Sequence, residues 1–203
     1  MNKYFKYLRR KLNQAKALFI IKAELKRKGK INVGSSSVPF DNDWFSCDID
    51  ILDITQKANW FKLLGFSKVT NIFAEHVWEH LNESDTYLAN KNCYHFLKKN
   101  GRLRLAVPDG YHPDKTYIDY VKPNGTGLGA DDHKILYNYS IMKKKLEQVG
   151  FTVHLLEYWD ENGKFHYVDW SNDHGKVTRS RRYDSRNIDG TLNYTSLIVD
   201  AIK

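Results

Sequence analysis

At 203 residues, 41% hydrophobic and 14% aromatic, the chain has enough apolar matter for one folded domain with a sizeable core, which excludes a disordered polymer. Two cysteines, Cys47 and Cys93, exclude a disulfide framework and fit a reducing, cytoplasmic setting, and no run of about 18 apolar residues is present to cross a membrane. The formal charge of +8 is unevenly placed: residues 1–30 hold eleven of the 32 Lys and Arg and one of the 24 acids, so the remaining body lacks the basic surface of a nucleic-acid binder.

Residues 1–29 interleave these cations with Tyr4, Phe5, Tyr7, Leu8, Leu12, Leu18, Phe19, Ile20 and Ile21, and read as a basic amphipathic helix broken at Gly29. Its longest apolar run, Ala17 to Ile21, is too short for a signal peptide. Such a helix either packs on the domain with its basic face in water, or meets an anionic membrane surface or acidic partner through residues 1–28. Residues 30–203 form the domain proper.

From residue 30, short apolar runs alternate with helical patterns. Lys30 to Val33 is a strand running into Gly34-Ser35-Ser36-Ser37, and Phe45 to Ile51 is a second extended segment. A helix around 56–64 leads to a strand at Lys68–Ala74. The spacing then predicts a helix from Val77 to Lys99, closed by Asn100-Gly101. Arg102 to Val107 is a strand ended by Pro108-Asp109-Gly110, and 111–132 reads as a loop. A helix from Asn138 to Val149, strands at Phe151–Tyr158 and Ser196–Ile202, and an extended stretch at Lys164–Trp170 complete the chain. The alternation predicts a mostly parallel sheet with helices on both faces.

Residues 75–80, Glu-His-Val-Trp-Glu-His, are the densest chemistry in the sequence. If a helix begins here, His76 and His80 share a face, as in the H-E-x-x-H zinc helix, but the glutamate that should directly follow the first histidine is missing. The alternative is positional: the carboxyl end of a parallel strand, where an open α/β sheet builds its ligand site. The surrounding alternation favours the second reading. The turn at Gly34 allows close approach of a ligand to backbone, and Asp48 at the end of the second strand stands where a carboxylate can accept two ribose hydroxyls. There is no G-x-G-x-x-G and no Gly-Lys-Ser/Thr phosphate loop.

Taken together, Val33-Gly34-Ser35-Ser36, Cys47-Asp48, Asp53-Ile54, Ala74-Glu75-His76-Val77-Trp78-Glu79-His80-Leu81, Phe96 to Asp109 and Leu146 to Phe151 resemble, in this order, the class I S-adenosylmethionine-dependent methyltransferases. The closing segment Tyr194 to Lys203 is similar to a subgroup that modifies sugars and polysaccharides. The resemblance covers 30–203 and implies a Rossmann-like, seven-stranded, doubly wound α/β domain whose last pair of strands is antiparallel. It departs from the family in keeping only Gly34 of the usual loop glycines. It further implies S-adenosylmethionine as cofactor, with Gly34, Ser35 and Ser36 along its methionine part, Asp48 on the ribose, Asp53 and Ile54 at the adenine edge, and Ala74, Glu75 and His76 on its other side.

Methyl transfer to oxygen requires alignment and removal of one proton, a task suited to histidine. His76, His80, His112 and His133 are the candidates; His133, oriented by Asp132, leads as general base, ahead of His112 and Asp109. A metal-held diol on Asp109, Asp132 and His133 is the alternative. The acceptor implied is a carbohydrate or glycoconjugate hydroxyl, with Tyr158, Trp159, Phe165, His166, Tyr167, Trp170 and Arg179, Arg181, Arg182, Arg186 as its candidate surface. A small phenolic or carboxylate acceptor and a non-catalytic binding or scaffolding domain are the rival readings.

Overall fold

The computed structural model describes residues 16, 18–35 and 40–203. Most of the expected basic arm lies outside these residues, as does Ser36. The described part of the arm is a helix, α1 (residues 18–28), ended by Gly29 at φ 65°, whose N–H donates to Leu25 O at 2.8 Å. Leu25 is fully buried and Ile21 packs beside it, while Lys22, Lys26 and Arg27 face water. This stretch is therefore continuous with the core. Among the described residues no helix is long and apolar enough to cross a membrane.

Seven strands follow: β1 (Lys30–Val33), β2 (Phe45–Cys47), β3 (Val69–Glu75), β4 (Leu97–Pro108), β5 (Thr152–Trp159), β6 (Phe165–Tyr167) and β7 (Ser196–Ile202). They form one sheet in the order β2-β1-β3-β4-β7-β5-β6. The first four are parallel; β7 runs antiparallel between β4 and β5, and β6 folds back on β5. The expected seven-stranded α/β architecture is the one observed.

Strand periodicity sorts side chains to two faces. On the first, Ile72 and Ala74 of β3 and Leu197, Val199 and Ala201 of β7 meet Leu25 of α1, Trp60 of α2 (Lys57–Leu64), Phe96 of α3 (Glu83–Phe96) and Met142 and Leu146 of α5 (Tyr139–Glu147). Trp60 and Phe96 stack at 5.3 Å. On the second face Phe73, Ala106 and Ile198 pack under Trp44, Trp170 and Val177, a cluster that draws on no helix among the described residues. The expectation of helices on both faces thus holds for one; a loop spanning 170–183 covers the other.

That loop is held by a buried ion pair. Arg104 and Asp200 are register partners across β4 and β7, fully and almost fully buried. Arg104 Nε and Nη2 donate to the two Asp200 oxygens at 2.8 and 2.9 Å, and Nη1 donates to Ser171 O and Gly175 O at 2.7 and 2.9 Å. Its guanidinium lies 4.9 Å from the Trp170 ring.

Two segments differ from the sequence expectation. The helix placed at 77–99 begins only at Glu83, where Asn82 Oδ1 accepts from Asp85 N at 2.9 Å. Before it, Trp78–His80 makes a single tight turn that buries Trp78, whose Nε1 donates to Asn90 Oδ1 at 2.8 Å. At its other end Leu97 is already extended, so Leu97–Gly101 is a bulged start of β4, with Asn100 at φ 61°. The loop 111–132 holds a short helix, α4 (Lys115–Val121), capped by Asp114, and a tight turn at Ala130–Asp132.

Removing Asp200 strands the fully buried Arg104 guanidinium and leaves the partly exposed Arg102 without its partner. Asp200→Ala should cost about 3–5 kcal/mol in urea-induced unfolding. Loss below about 1 kcal/mol would show that the pair does not hold this face.

Candidate functional site

The chain runs from β1 outward to β2 and returns to β3, so strand order reverses between β1 and β3. In an open α/β sheet the crevice beyond the carboxyl ends of the strands at such a point is where ligands bind. A cleft of about 500 Å³ lies there, bounded by Gly34 after β1, Asp48, Asp53 and Ile54 after β2, His76 and His80 after β3, and Asp85 and Asp132. Its described wall carries four carboxylates and no Lys or Arg.

Backbone and side chains fix this wall closely. Gly34 sits at φ 67°, and a Cβ there would stand 2.3 Å from Val77 Cγ2, so the first loop lies directly on the turn after β3. Ser35 N and Oγ both donate to Cys47 O, at 3.2 and 3.3 Å, which ties the loop to β2. Asp48 Oδ1 accepts from Ile49 N at 2.7 Å, while its carbonyl accepts from Ile51 and Leu52 and bends the chain toward Asp53. Asp53 Oδ1 accepts from Thr55 N and Oγ1 at 3.0 and 2.7 Å. Ile54 O accepts from Trp60 Nε1 and Asn92 Nδ2, both at 2.9 Å, anchoring the floor to α2 and α3.

His76 is a non-glycine residue at φ 58°, a conformation that persists only where neighbours enforce it. Its N–H donates to Ala106 O at 2.8 Å, and Nε2 lies 3.1 Å from Ser196 Oγ. Burial, with Arg179 nearby, drives its pKa well below the usual imidazole range, so the ring is neutral. Glu79 is 1% exposed, and burial pushes its carboxyl up to about 8. Glu79 Oε1 approaches His76 Nδ1 at 3.3 Å, within ion-pair range, yet neither carboxylate oxygen makes an aligned hydrogen bond. Alignment decides here, and Glu79 is under-satisfied.

The residues expected to act as acid or base are distributed differently. Asp132 does not orient His133: its Oδ2 lies 3.2 Å from His80 Nδ1, and its Oδ1 accepts from Lys134 at 2.8 Å. Ala130–Asp132 is a tight turn and His133 leaves it extended, so the two neighbouring side chains diverge. His133 Nδ1 instead lies 2.6 Å from Val121 O. Asp109 is fully buried, its oxygens accepting from Tyr111 N at 3.0 Å and Trp159 N at 2.8 Å. Buried His112 accepts from Asp114 N at 3.2 Å and stacks on Tyr117 at 4.0 Å. Neither lines the cleft, and Asp109, Asp132 and His133 do not converge on one point. Ala74 is buried in β3, and the Glu75 carboxylate turns to Thr178 and Arg179, accepting from Thr178 Oγ1 and Arg179 N at 2.7 Å each. Thr55, Val77 and Asp85 line the cleft without a role expected from the sequence. Glu79 and His80 belong to the Glu-His repeat that the sequence singles out, although no role for Glu79 follows from it.

No protein-family model and no curated protein matches the chain. Solved structures do. A methyltransferase of Thermotoga maritima, S-adenosylmethionine-dependent, aligns at a TM-score of 0.50 with 10% identity, over 96% of this chain and 97% of that one. The fold is that of the class I methyltransferases. A second S-adenosylmethionine-dependent methyltransferase, from Archaeoglobus fulgidus, aligns at 0.47 with 16% identity over 92% and 94% of the two chains.

Asp109 offers a pH test of its buried position. Its carboxyl is raised, by burial, from 3.8 to about 6. A folded-state value above the unfolded one means that stability is fullest below pH 3.8 and is lost as pH rises through about 6. The difference in unfolding free energy between wild type and Asp109→Asn should therefore shift by about 2–3 kcal/mol between pH 4 and pH 7, against the wild type. A pH-independent difference would show the carboxyl to be unshifted.

Proposed function

We propose that the chain is an S-adenosylmethionine-dependent methyltransferase that methylates a hydroxyl oxygen of a sugar in a glycan or glycoconjugate. The observation that carries the enzyme and cofactor reading is the cleft at the strand reversal of a class I fold, with four carboxylates and no cation on its described wall. Such a wall repels phosphates, so a nucleoside triphosphate or dinucleotide is a poor occupant. It suits a nucleoside that carries positive charge. The cradle also fits: Gly34 has no room for a Cβ, Asp48 stands at the end of β2, and Asp53 and Ile54 form the next stretch of wall. On this reading Asp48 accepts from the ribose hydroxyls, Asp53 and Ile54 border the adenine, and Gly34, Ser35 and His76 border the methionine part. Bound S-adenosylmethionine supplies a methyl group activated by its sulfonium.

The chain's own part is to align the acceptor oxygen and handle its proton. Burial and backbone hydrogen bonds commit Asp109 and His112 to structure, which favours His133 and its neighbour His80 for that role. Beyond His76, Tyr194 lies 6.3 Å from the imidazole, and the Arg186 guanidinium covers Tyr194 at 3.4 Å. The Tyr194 ring is buried beneath it, so it is the half-exposed Arg186 guanidinium plane that suits a sugar hydroxyl or an acidic glycan. The expected aromatic hairpin contributes less, because Trp170 is buried and Trp159 Nε1 is bound to Thr195.

Calorimetry with S-adenosylhomocysteine should give saturable binding. Asp48→Ala should weaken it by about tenfold, the worth of one charge-assisted hydrogen bond or so. Gly34→Ala should abolish it by forcing Val77 out of place. Absence of wild-type binding at millimolar ligand would reject the enzyme reading. Methyl transfer to phenols but not to any glycoside in a mixed panel would reject the acceptor.

A further inference from the structure

Glu79, His80 and His133 each offer one ligand atom, and these three atoms lie within 4.8 Å of one another. The cluster is assembled from two distant segments, the tight turn after β3 and the segment after Ala130–Asp132. Two independent features point to a ligand rather than to packing. First, the Glu79 carboxylate is 1% exposed with both oxygens lacking an aligned hydrogen bond, and it is one of the three converging groups. A buried carboxylate left in this state is costly unless something else satisfies it. Second, each imidazole has its Nδ1 held by an acceptor: Val121 O at 2.6 Å for His133, and Asp132 Oδ2 at 3.2 Å for His80. A carbonyl can only accept, so His133 carries its proton on Nδ1 and leaves Nε2 with a free lone pair; the carboxylate favours the same tautomer in His80. Histidines that bind metals are oriented in this way, by a carbonyl or a carboxylate behind the ring. The two rings meet edge to face, 4.8 Å apart at 82°, a packing geometry compatible with a shared ion.

We propose that Glu79, His80 and His133 bind a divalent first-row transition ion, zinc or manganese, at the side of the cleft. Two imidazoles and one carboxylate are a donor set for such ions, at about 2.0–2.2 Å each. The ligand atoms must draw together by about 1 Å to reach those distances, which side-chain rotation supplies. His80, one of the three ligands, lines the cleft, so the ion would be reached from it. The chemical class of exogenous ligand is then an oxygen donor, such as a hydroxyl or a vicinal diol, which an ion would both position and acidify; with the ion bound, His80 and His133 act on the acceptor proton through the ion and not as free bases. His76 Nδ1 at 3.3 Å from Glu79 is the competing partner: a neutral Glu79 beside a neutral His76 would need no ion. Arg179, the cation that acts on Glu79, lies 3.6 Å from Glu75, which holds it partly neutralised.

Metal binding is independent of the methyltransferase reading and can be measured without an acceptor. Full-length protein stripped with a chelator is titrated with zinc chloride and manganese chloride by calorimetry, and with cobalt chloride by visible absorption. The expected result is one equivalent bound with a Kd of about 10 μM or tighter, and cobalt bands of a low-symmetry site with nitrogen and oxygen ligands. Glu79→Gln and His133→Ala should each weaken binding at least about tenfold, and Asp132→Asn, which touches only the back of His80, by less. The wild-type cobalt spectrum does not depend on any variant folding. No uptake by wild type at millimolar ion, or unchanged affinity in Glu79→Gln, overturns the site. S-Adenosylhomocysteine binding to the stripped protein should persist, so that failure of the metal and failure of the cofactor reading are told apart.

Discussion

The second face of the sheet depends on the pairing of Arg104 with Asp200. Helices seal the first face with apolar side chains, but among the described residues no helix covers the other, where a loop serves as the lid. A loop carries backbone carbonyls that need donors when buried. Arg104 supplies them: four of its five N–H directions are used, two on Asp200 and two on the carbonyls of Ser171 and Gly175. Gly175 completes the fit, because at φ 114° it lies so close to Phe73 that a Cβ would stand 2.5 Å from that ring. One charged pair between register partners therefore serves as both sheet pairing and lid anchor.

The same lid reaches the functional edge of the sheet. Glu75, the last residue of β3, accepts from Thr178 and Arg179, and Glu157 accepts from Arg181 N at 2.7 Å and Trp170 Nε1 at 2.9 Å. One residue beyond Glu75 the chain turns through the left-handed conformation of His76 and descends to Glu79. The loop over the far face and the cleft on the near side are thus joined through two successive residues. Within five residues Glu79 is buried and His76 and Glu75 are partly buried; Glu75 is satisfied by Thr178 and Arg179, whereas Glu79 meets only His76, at 3.3 Å without an aligned hydrogen bond.

Much of the topology was legible because parallel strands, their terminal loops and helix caps are local signals. Gly34, Asp48 and the Glu-His repeat fell where strand ends put them, and Asn138 capped α5 through Ile141 N. Side-chain direction was not legible. Whether Asp132 faces His133 or His80 depends on one turn's dihedrals, and Asp109 became structural because Trp159, fifty positions on, needed an acceptor. The helix at 77–99 was overdrawn because Val77, Trp78 and Leu81 mimic helical spacing, whereas the burial of Trp78 against Asn90 bends the chain first. The short helix after Asp114 had a readable cap in Pro113-Asp114, overlooked within a segment rich in loop residues.

Both flanks of the sheet end in strands of three residues, β2 and β6. A three-residue flank exposes at most one or two unpaired backbone groups of each kind, too few to template another strand. Long central strands such as the twelve-residue β4 are shielded on either side by paired neighbours. On the β6 flank the cover is partial: β6 pairs with Glu157–Trp159 alone, so Thr152–Leu155 of β5 extend beyond it, and the outline of the sheet narrows the ladder offered to another copy to one short stretch among the described residues.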